Sequence, residues 1–204
     1  MIRVLILSFT FLIFFSCNNS SQEKTLHDSI MTITNPTIEI QKQGYRELIN
    51  NCLNGSKKDS VTSFINELTN HDGDKDYMTT LNFVMSWLDQ NRIHFIMSLD
   101  WKQEVSDLNW RINSALKDNF DTSVELPDPA KYGEEASVSY KNVFREYDQA
   151  LRKNGFQLSF IDTDSDEYVI LVHKTKDAEA VKAAVLKTGY ECLDANSPKI
   201  NNEI

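Results

Sequence analysis

FQLSFIDTDSDEYVILVHK, residues 156–174, is the stretch that decides the fold of this chain. Phe156, Leu158 and Phe160 alternate with Gln157 and Ser159, the period of a strand with one buried face. Tyr168, Val169, Ile170, Leu171 and Val172 are apolar at every position, as in a strand covered on both faces. Between them lies the acidic turn Asp162, Thr163, Asp164, Ser165, Asp166, Glu167. The stretch predicts a β-hairpin in which an edge strand, 156–160, lies against a central one, 168–173.

The flanking sequence extends this hairpin into a sheet. Residues 176–188 read as a helix stopped by Gly189, followed by a short strand at 190–193. Upstream, Tyr140, Val143, Phe144, Tyr147, Ala150 and Leu151 form a helical stripe capped by Ser139 and closed by Asn154-Gly155. Pro127 and Pro129 place a loop at 119–138, with room for a short strand at 123–126. Val105, Leu108, Ile112, Ala115 and Leu116 give the buried face of a helix over 102–118, with Asp100 and Gln103 as a capping-box-like pair. Residues 92–99 alternate, Ile93, Phe95, Met97 and Leu99 on one side and His94, Ile96 and Ser98 on the other.

With the helix at 139–153 counted as an addition, the order is β-α-β-β-α-β. This predicts an α+β fold with a ferredoxin-like, split βαβ antiparallel sheet of four strands. Strands 92–99 and 168–173, the most apolar, are expected in the middle, with 156–160 and 190–193 as edges. The helices at 102–118 and 176–188 are expected on one face. Ile96, Val169 and Leu171 on the other face need a cover, which an added N-terminal three-helix segment at 36–90 supplies. Asn35-Pro36 reads as its start, and helical spacing recurs through Tyr45 to Leu53, Val61 to Leu68 and Leu81 to Leu88. The expected organisation is therefore a signal peptide at 1–16, a modified N-terminus and tether at 17–35, the helices at 36–90, the α+β domain at 91–195 and a disordered tail at 196–204.

The chain has 204 residues, 41% hydrophobic and 25% charged, with a net charge of −9. Beyond residue 16, which leaves out Arg3, 20 basic residues face 30 acidic ones. Such a balance is repelled by phosphate backbones and argues against a nucleic-acid partner. It suits a basic protein partner, and it also suits simple solubility.

Arg3 followed by the apolar run Val4 to Phe15 has the layout of a secretory signal and is too short to span a bilayer. It ends in Phe14-Phe15-Ser16-Cys17, then Asn18-Asn19-Ser20-Ser21. This resembles the lipobox of bacterial lipoproteins, although Phe14 and Phe15 stand where the family usually has an aliphatic and then a small residue. The resemblance implies cleavage before Cys17, lipidation of Cys17 and a membrane anchor. Asn18, where Asp would favour inner-membrane retention, points to the outer membrane. An ordinary secretory signal, or an uncleaved anchor with a chance cysteine, is the alternative. Cys52 and Cys192, the other two cysteines, read as small core residues or as a disulfide pair.

Asp100-Trp101, Ser139-Tyr140, Val143-Phe144, Tyr147, Ile161-Asp162-Thr163 and Ser165-Asp166-Glu167-Tyr168 together resemble an uncharacterised bacterial domain family over roughly residues 90–195. That family brings no known activity, and so no catalytic residues.

Two groups could hold a cation. Asp162, Asp164 and Asp166 have the one-three-five spacing of a calcium loop, but Glu167 and His173 stand where an EF-hand needs Gly and Glu. A looser Ca²⁺ site and a solvated turn remain the two readings. Asp72, Asp74 and Asp76 repeat the spacing at a helix start, where capping explains them. His94 and His173, at matching parity on neighbouring central strands, could be cross-strand neighbours and Zn²⁺ ligands with a carboxylate as third. The alternative is two strand-end histidines with no joint role.

No nucleophile elbow, P-loop, dinucleotide fingerprint, His-Glu-x-x-His or Cys-x-x-Cys occurs. Trp87 fits a core position, whereas Trp101 and Trp110 lie off the apolar stripes and are expected at the surface. A non-enzymatic, membrane-anchored module that binds a protein partner, of immunity type for example, is therefore favoured. A metal- or carboxylate-dependent envelope hydrolase and an outer-membrane assembly accessory are the alternatives.

Overall fold

Three amphipathic helices come first: α1 (Ile38–Cys52), α2 (Gly55–Glu67) and α3 (Thr80–Gln90). In the computed structural model, which describes residues 35–133 and 135–201, they pack onto one face of the sheet. The expected signal peptide at 1–16, Cys17 and all but the last residue of the expected tether at 17–35 lie outside the described residues. Thr37 rather than Asn35 precedes α1, and α2 begins at Gly55, whose φ of +67° lets the chain turn directly from one helix into the next. Thr79 caps α3 by accepting from the Asn82 N–H at 3.1 Å. Among the described residues no helix is long and apolar enough to cross a membrane.

The rest of the chain runs β1 (Met97–Asp100), α4 (Val105–Phe120), a 3₁₀ turn (Pro129–Tyr132), α5 (Val143–Arg152), β2 (Phe156–Asp162), β3 (Glu167–Lys174), α6 (Ala178–Lys187) and β4 (Glu191–Asp194). The fold is α+β, with a four-stranded antiparallel sheet and the added helical segment. The strand order, β1-β3-β2-β4, departs from the split βαβ in one respect. The β1·β3 and β3·β2 pairs are those expected, but β4 lies on β2 instead of β1. The middle of the sheet is thus β3 and β2, and β1 is an edge.

That exchange moves a helix. Strand-to-strand crossovers are right-handed, so two that step across a sheet in the same direction from oppositely directed strands must pass on opposite faces. Accordingly α4 and α5 cover the face carrying Leu158, Phe160, Ile170 and Val172. Helix α6 covers the other face with α1, α2 and α3, over Ile161, Val169 and Leu171. The expectation of α4 and α6 on a common face is corrected by this packing. Contact between α1 and α6 is close at Gly44, where a Cβ would stand 2.7 Å from the Ala184 carbonyl oxygen.

Other segments differ from the sequence reading for local reasons. Strand β1 starts only at Met97, because Arg92 takes φ +55° and the chain bends at Phe95 and Ile96. No strand forms at 123–126; Asp128 instead accepts from the Ala130 N–H and starts the 3₁₀ turn. Residues 196–201 are ordered: Ala195 and Ile200 enter the second core, and buried Asn201 donates to the Ala195 carbonyl at 2.7 Å. Cys52 and Cys192 are free thiols, and burial raises both, Cys192 to about 11.

Candidate interaction surface at the open edge of the sheet

The phase of the ladder decides which backbone groups of β1 are free. The Thr175 N–H donates to the Gly155 carbonyl at 2.9 Å, so in the β2·β3 register every second pair from there, including Ile161↔Val169, is hydrogen-bonded. Val169 therefore spends its N–H and C=O on β2. Ser98, its partner on β1, turns its own N–H and C=O away from the sheet. Asp100 confirms the phase from the other side. Its N–H takes the Gln103 Oε1 at 2.9 Å and its carbonyl accepts the Gln103 N–H at 2.9 Å, both outward. Gln103 thus caps the end of the edge, and Ser98 is left open.

The open edge lies in a trough of about 760 Å³. Met85, Ser86 and Asp89 of α3 form one wall and Trp110 and Arg111 of α4 the other, with Ile96 to Ser98 between them. Trp110 is 56% exposed. His94 meets its ring edge-on, with centroids 5.1 Å apart, and the Arg111 guanidinium lies 5.9 Å from its centroid. Arg111 Nε is buried without a hydrogen-bond partner. Among the described residues neither Arg92 nor Arg111 has a carboxylate at ion-pair distance.

Behind the trough, Asp118 Oδ2 receives Lys57 Nζ at 2.6 Å and His94 Nδ1 at 3.0 Å. Burial pushes this carboxyl up, but the Lys57 and His94 hydrogen bonds outweigh it and hold the group below its ordinary value. An ionised carboxylate only accepts, so the His94 proton sits on Nδ1. Among the described residues no hydroxyl or thiol is bonded to His94 Nε2, so no activated nucleophile accompanies this His–Asp pair.

Residues 41–196 match the family described as a domain of unknown function, DUF6630. The chain belongs to this family. The DUF6630 match begins in α1 and ends just past β4, so it includes both cores and the whole trough, and it reaches back beyond the stretch 90–195. No curated protein and no solved structure matches the chain.

Within this DUF6630 domain the residues singled out by sequence separate. His94 and His173 do not pair, because β1 begins after His94 and the bend at Phe95 takes that side chain to Asp118. His173 is wholly buried, with Nδ1 donating to the Lys174 carbonyl and Nε2 accepting from Ser159 Oγ, both at 2.9 Å. Burial lowers its basicity and keeps the ring neutral. Among the described residues no group of three or more His, Cys, Asp or Glu side chains could hold a metal ion. At the hairpin tip, the Lys199 ammonium sits where a cation would, 2.7 and 2.8 Å from the Asp162 oxygens and 3.2 Å from Asp164. Asp166 is exposed beside them. Asp72 accepts from the Thr80 N–H and from Gln41, which supports the capping reading. Trp87 stacks on Phe64 at 4.1 Å, and Trp101 and Trp110 are exposed, as their positions predict.

Sequence reasoning missed Ser98, Arg111 and Lys199. Lys199 carried no signal, since its partners are 35 and 37 residues away. The role of Ser98 depends on ladder phase, which only the register supplies.

Proposed function

We propose that this protein is a lipid-anchored module of the cell envelope, at the outer membrane, that holds a protein partner in the trough along β1. The observation that carries this reading is an open sheet edge between two helices, with a half-exposed tryptophan and two guanidiniums that lack acidic partners. The placement of the first described residues supports it. Pro36 packs within 3.2 Å of where a Gly189 Cβ would be, just before β4, and the trough lies at the opposite edge of the sheet.

Photo-crosslinking tests the surface. A crosslinking residue placed at Ser86, on the α3 wall of the trough, in the full-length protein in its native envelope, should give one discrete protein adduct. The same residue at exposed Glu191 on β4 should give none. Adducts absent at position 86, or identical from both positions, would overturn the reading. The anchor is tested separately: Cys17→Ala should abolish labelling by an alkynyl fatty acid and move the protein from the membrane to the soluble fraction.

A further inference from the structure

We propose that the occupant of the trough is an extended peptide segment of the partner, added to the sheet as a fifth strand on Ser98 with an acidic side chain against Arg111. This rests on the reading that the trough holds a protein partner, and it specifies how.

Main-chain groups make the first part of the case. Ser98 presents an N–H and a C=O outward at strand spacing, and no described residue bonds to either from that side. A passing strand satisfies both at once, the way sheet edges take up peptides. Gln103 already consumes the pair at Asp100, so the added strand ends there. A second copy of this chain does not fit the position. Its own β1 lies between its own α3 and α4, so two such edges would bring four helical walls into one trough. An extended segment without flanking helices has no such conflict.

Side-chain chemistry makes the second part. Ser98 and Ile96 point to the face of α3, whereas Met97 and Leu99 point to the face of α4. A residue directly opposite Ser98 shares its face and meets Met85, Ser86 and Asp89. The residues on either side of it point to Trp110 and Arg111. The Arg111 guanidinium lines the trough with no described carboxylate at ion-pair distance, and a carboxylate brought by the incoming strand supplies one. The acids lining the trough sharpen the pattern. Glu167 accepts Ser98 Oγ at 2.5 Å and Asp100 accepts the Lys102 N–H at 2.8 Å, so both are engaged. Asp89 stands on the α3 wall and repels an acid there. The segment should therefore carry its acid only at positions of the α4-facing parity, beside an apolar residue that covers Trp110.

The test uses the full-length protein in detergent and synthetic decapeptides of Thr and Val carrying Glu or Lys at alternate positions. Glu of one parity should bind about ten-fold tighter than Lys, the worth of one charge-assisted hydrogen bond. Arg111→Gln should erase most of that preference. Backbone N-methylation at every second peptide residue should weaken binding about ten-fold, and at the residues between by under about two-fold. The Ser98 amide should become protected from hydrogen exchange on binding. Ser98→Pro should fold, because its N–H is not used by the sheet, and should lose peptide binding. No binding by any peptide, equal binding of Glu and Lys, or indifference to N-methylation would overturn the inference. So would protection of Ser98 that rises with protein concentration alone, which would mean self-pairing. A partner crosslinked at position 86 that leaves the Ser98 amide unprotected would remove the added strand while leaving the binding role intact.

Discussion

The two edges of this sheet are treated differently. On the β4 side the chain ties itself down. Pro36 packs on Gly189, Ile200 enters the second core, Lys199 bridges Asp162 and Asp164, and Asn201 holds the turn after β4. Even the end of the ladder is completed there by a side chain. Leu158 turns its N–H away from β3 at a point beyond the last β2·β4 pair, and Asp148 Oδ1 accepts it at 2.9 Å. On the β1 side only Asp100 is capped, by Gln103, and Ser98 stays open. Unpaired edges invite association, and proteins ordinarily blunt them. One edge sealed and one left recessed but open suggests that closing the sheet is what stability requires and leaving it open is what function uses.

That contrast breaks most visibly if Asp148 is not needed. Its carboxylate is buried, with Oδ2 accepting from Arg152 Nε at 2.6 Å while Oδ1 holds the Leu158 N–H. Asp148→Ala leaves a buried N–H unsatisfied and should cost about 3 kcal/mol. Urea unfolding at constant slope measures it. A loss under about 1 kcal/mol would mean water replaces the carboxylate and the closure is cosmetic.

Next in size is Gly44→Ala. The new methyl would meet the Ala184 carbonyl, Thr188 and Lys187 at once, and a backbone oxygen cannot step aside. Overpacking of this kind should cost about 1–3 kcal/mol and loosen α6 from α1. Thermal unfolding, with amide exchange along α6, would show whether the loss is local to that contact.

The hairpin at 156–174 was legible from the alternation of its first strand and the unbroken apolar run of its second, and the order of elements and the cover over Val169 and Leu171 from helical spacing around it. Strand order was not legible, and Gln157 and Ser159 are the reason. Polar residues alternating along a strand look solvent-facing, which made β2 an edge. In the fold they are 5% and 4% exposed, and Ser159 is satisfied by His173 from the neighbouring strand. Once β2 is interior, β4 has a place beside it, and the handedness of crossovers carries α6 to the other face. The site was legible only in part. Trp110 lies off the helical stripe and so was expected outside, and His94 was noticed with the wrong partner. Arg111 differs in sequence from any exposed arginine by nothing at all.

His173 offers a test of the buried middle of the sheet by pH. Burial lowers its folded value below the ordinary 6.5, so under that pH the unfolded chain binds a proton the native ring does not. The stability due to the neutral ring is complete above pH 6.5 and is lost as pH falls from there. Asp118 acts elsewhere, because a lowered carboxylate loses its contribution only as pH drops through values under 3.8. Urea midpoints should therefore decline from pH 6.5 to 5, and His173→Gln should flatten that decline. An equal slope in the variant would place the titrating group elsewhere.

The smallest expected effect on stability is on the open side, and it decides the comparison. Trp110 touches His94 by a ring edge and lies near Arg111, but more than half of it is in solvent. Trp110→Ala should therefore change unfolding free energy by no more than about 0.5 kcal/mol. A large indole kept half in water on a wall that the core does not use is a loss for solubility unless something covers it. If the substitution leaves the fold intact and abolishes the adduct captured by the crosslinker at Ser86, the indole serves the partner. If it unfolds the protein instead, the trough is a structural wall, and the difference between the two edges is one of degree.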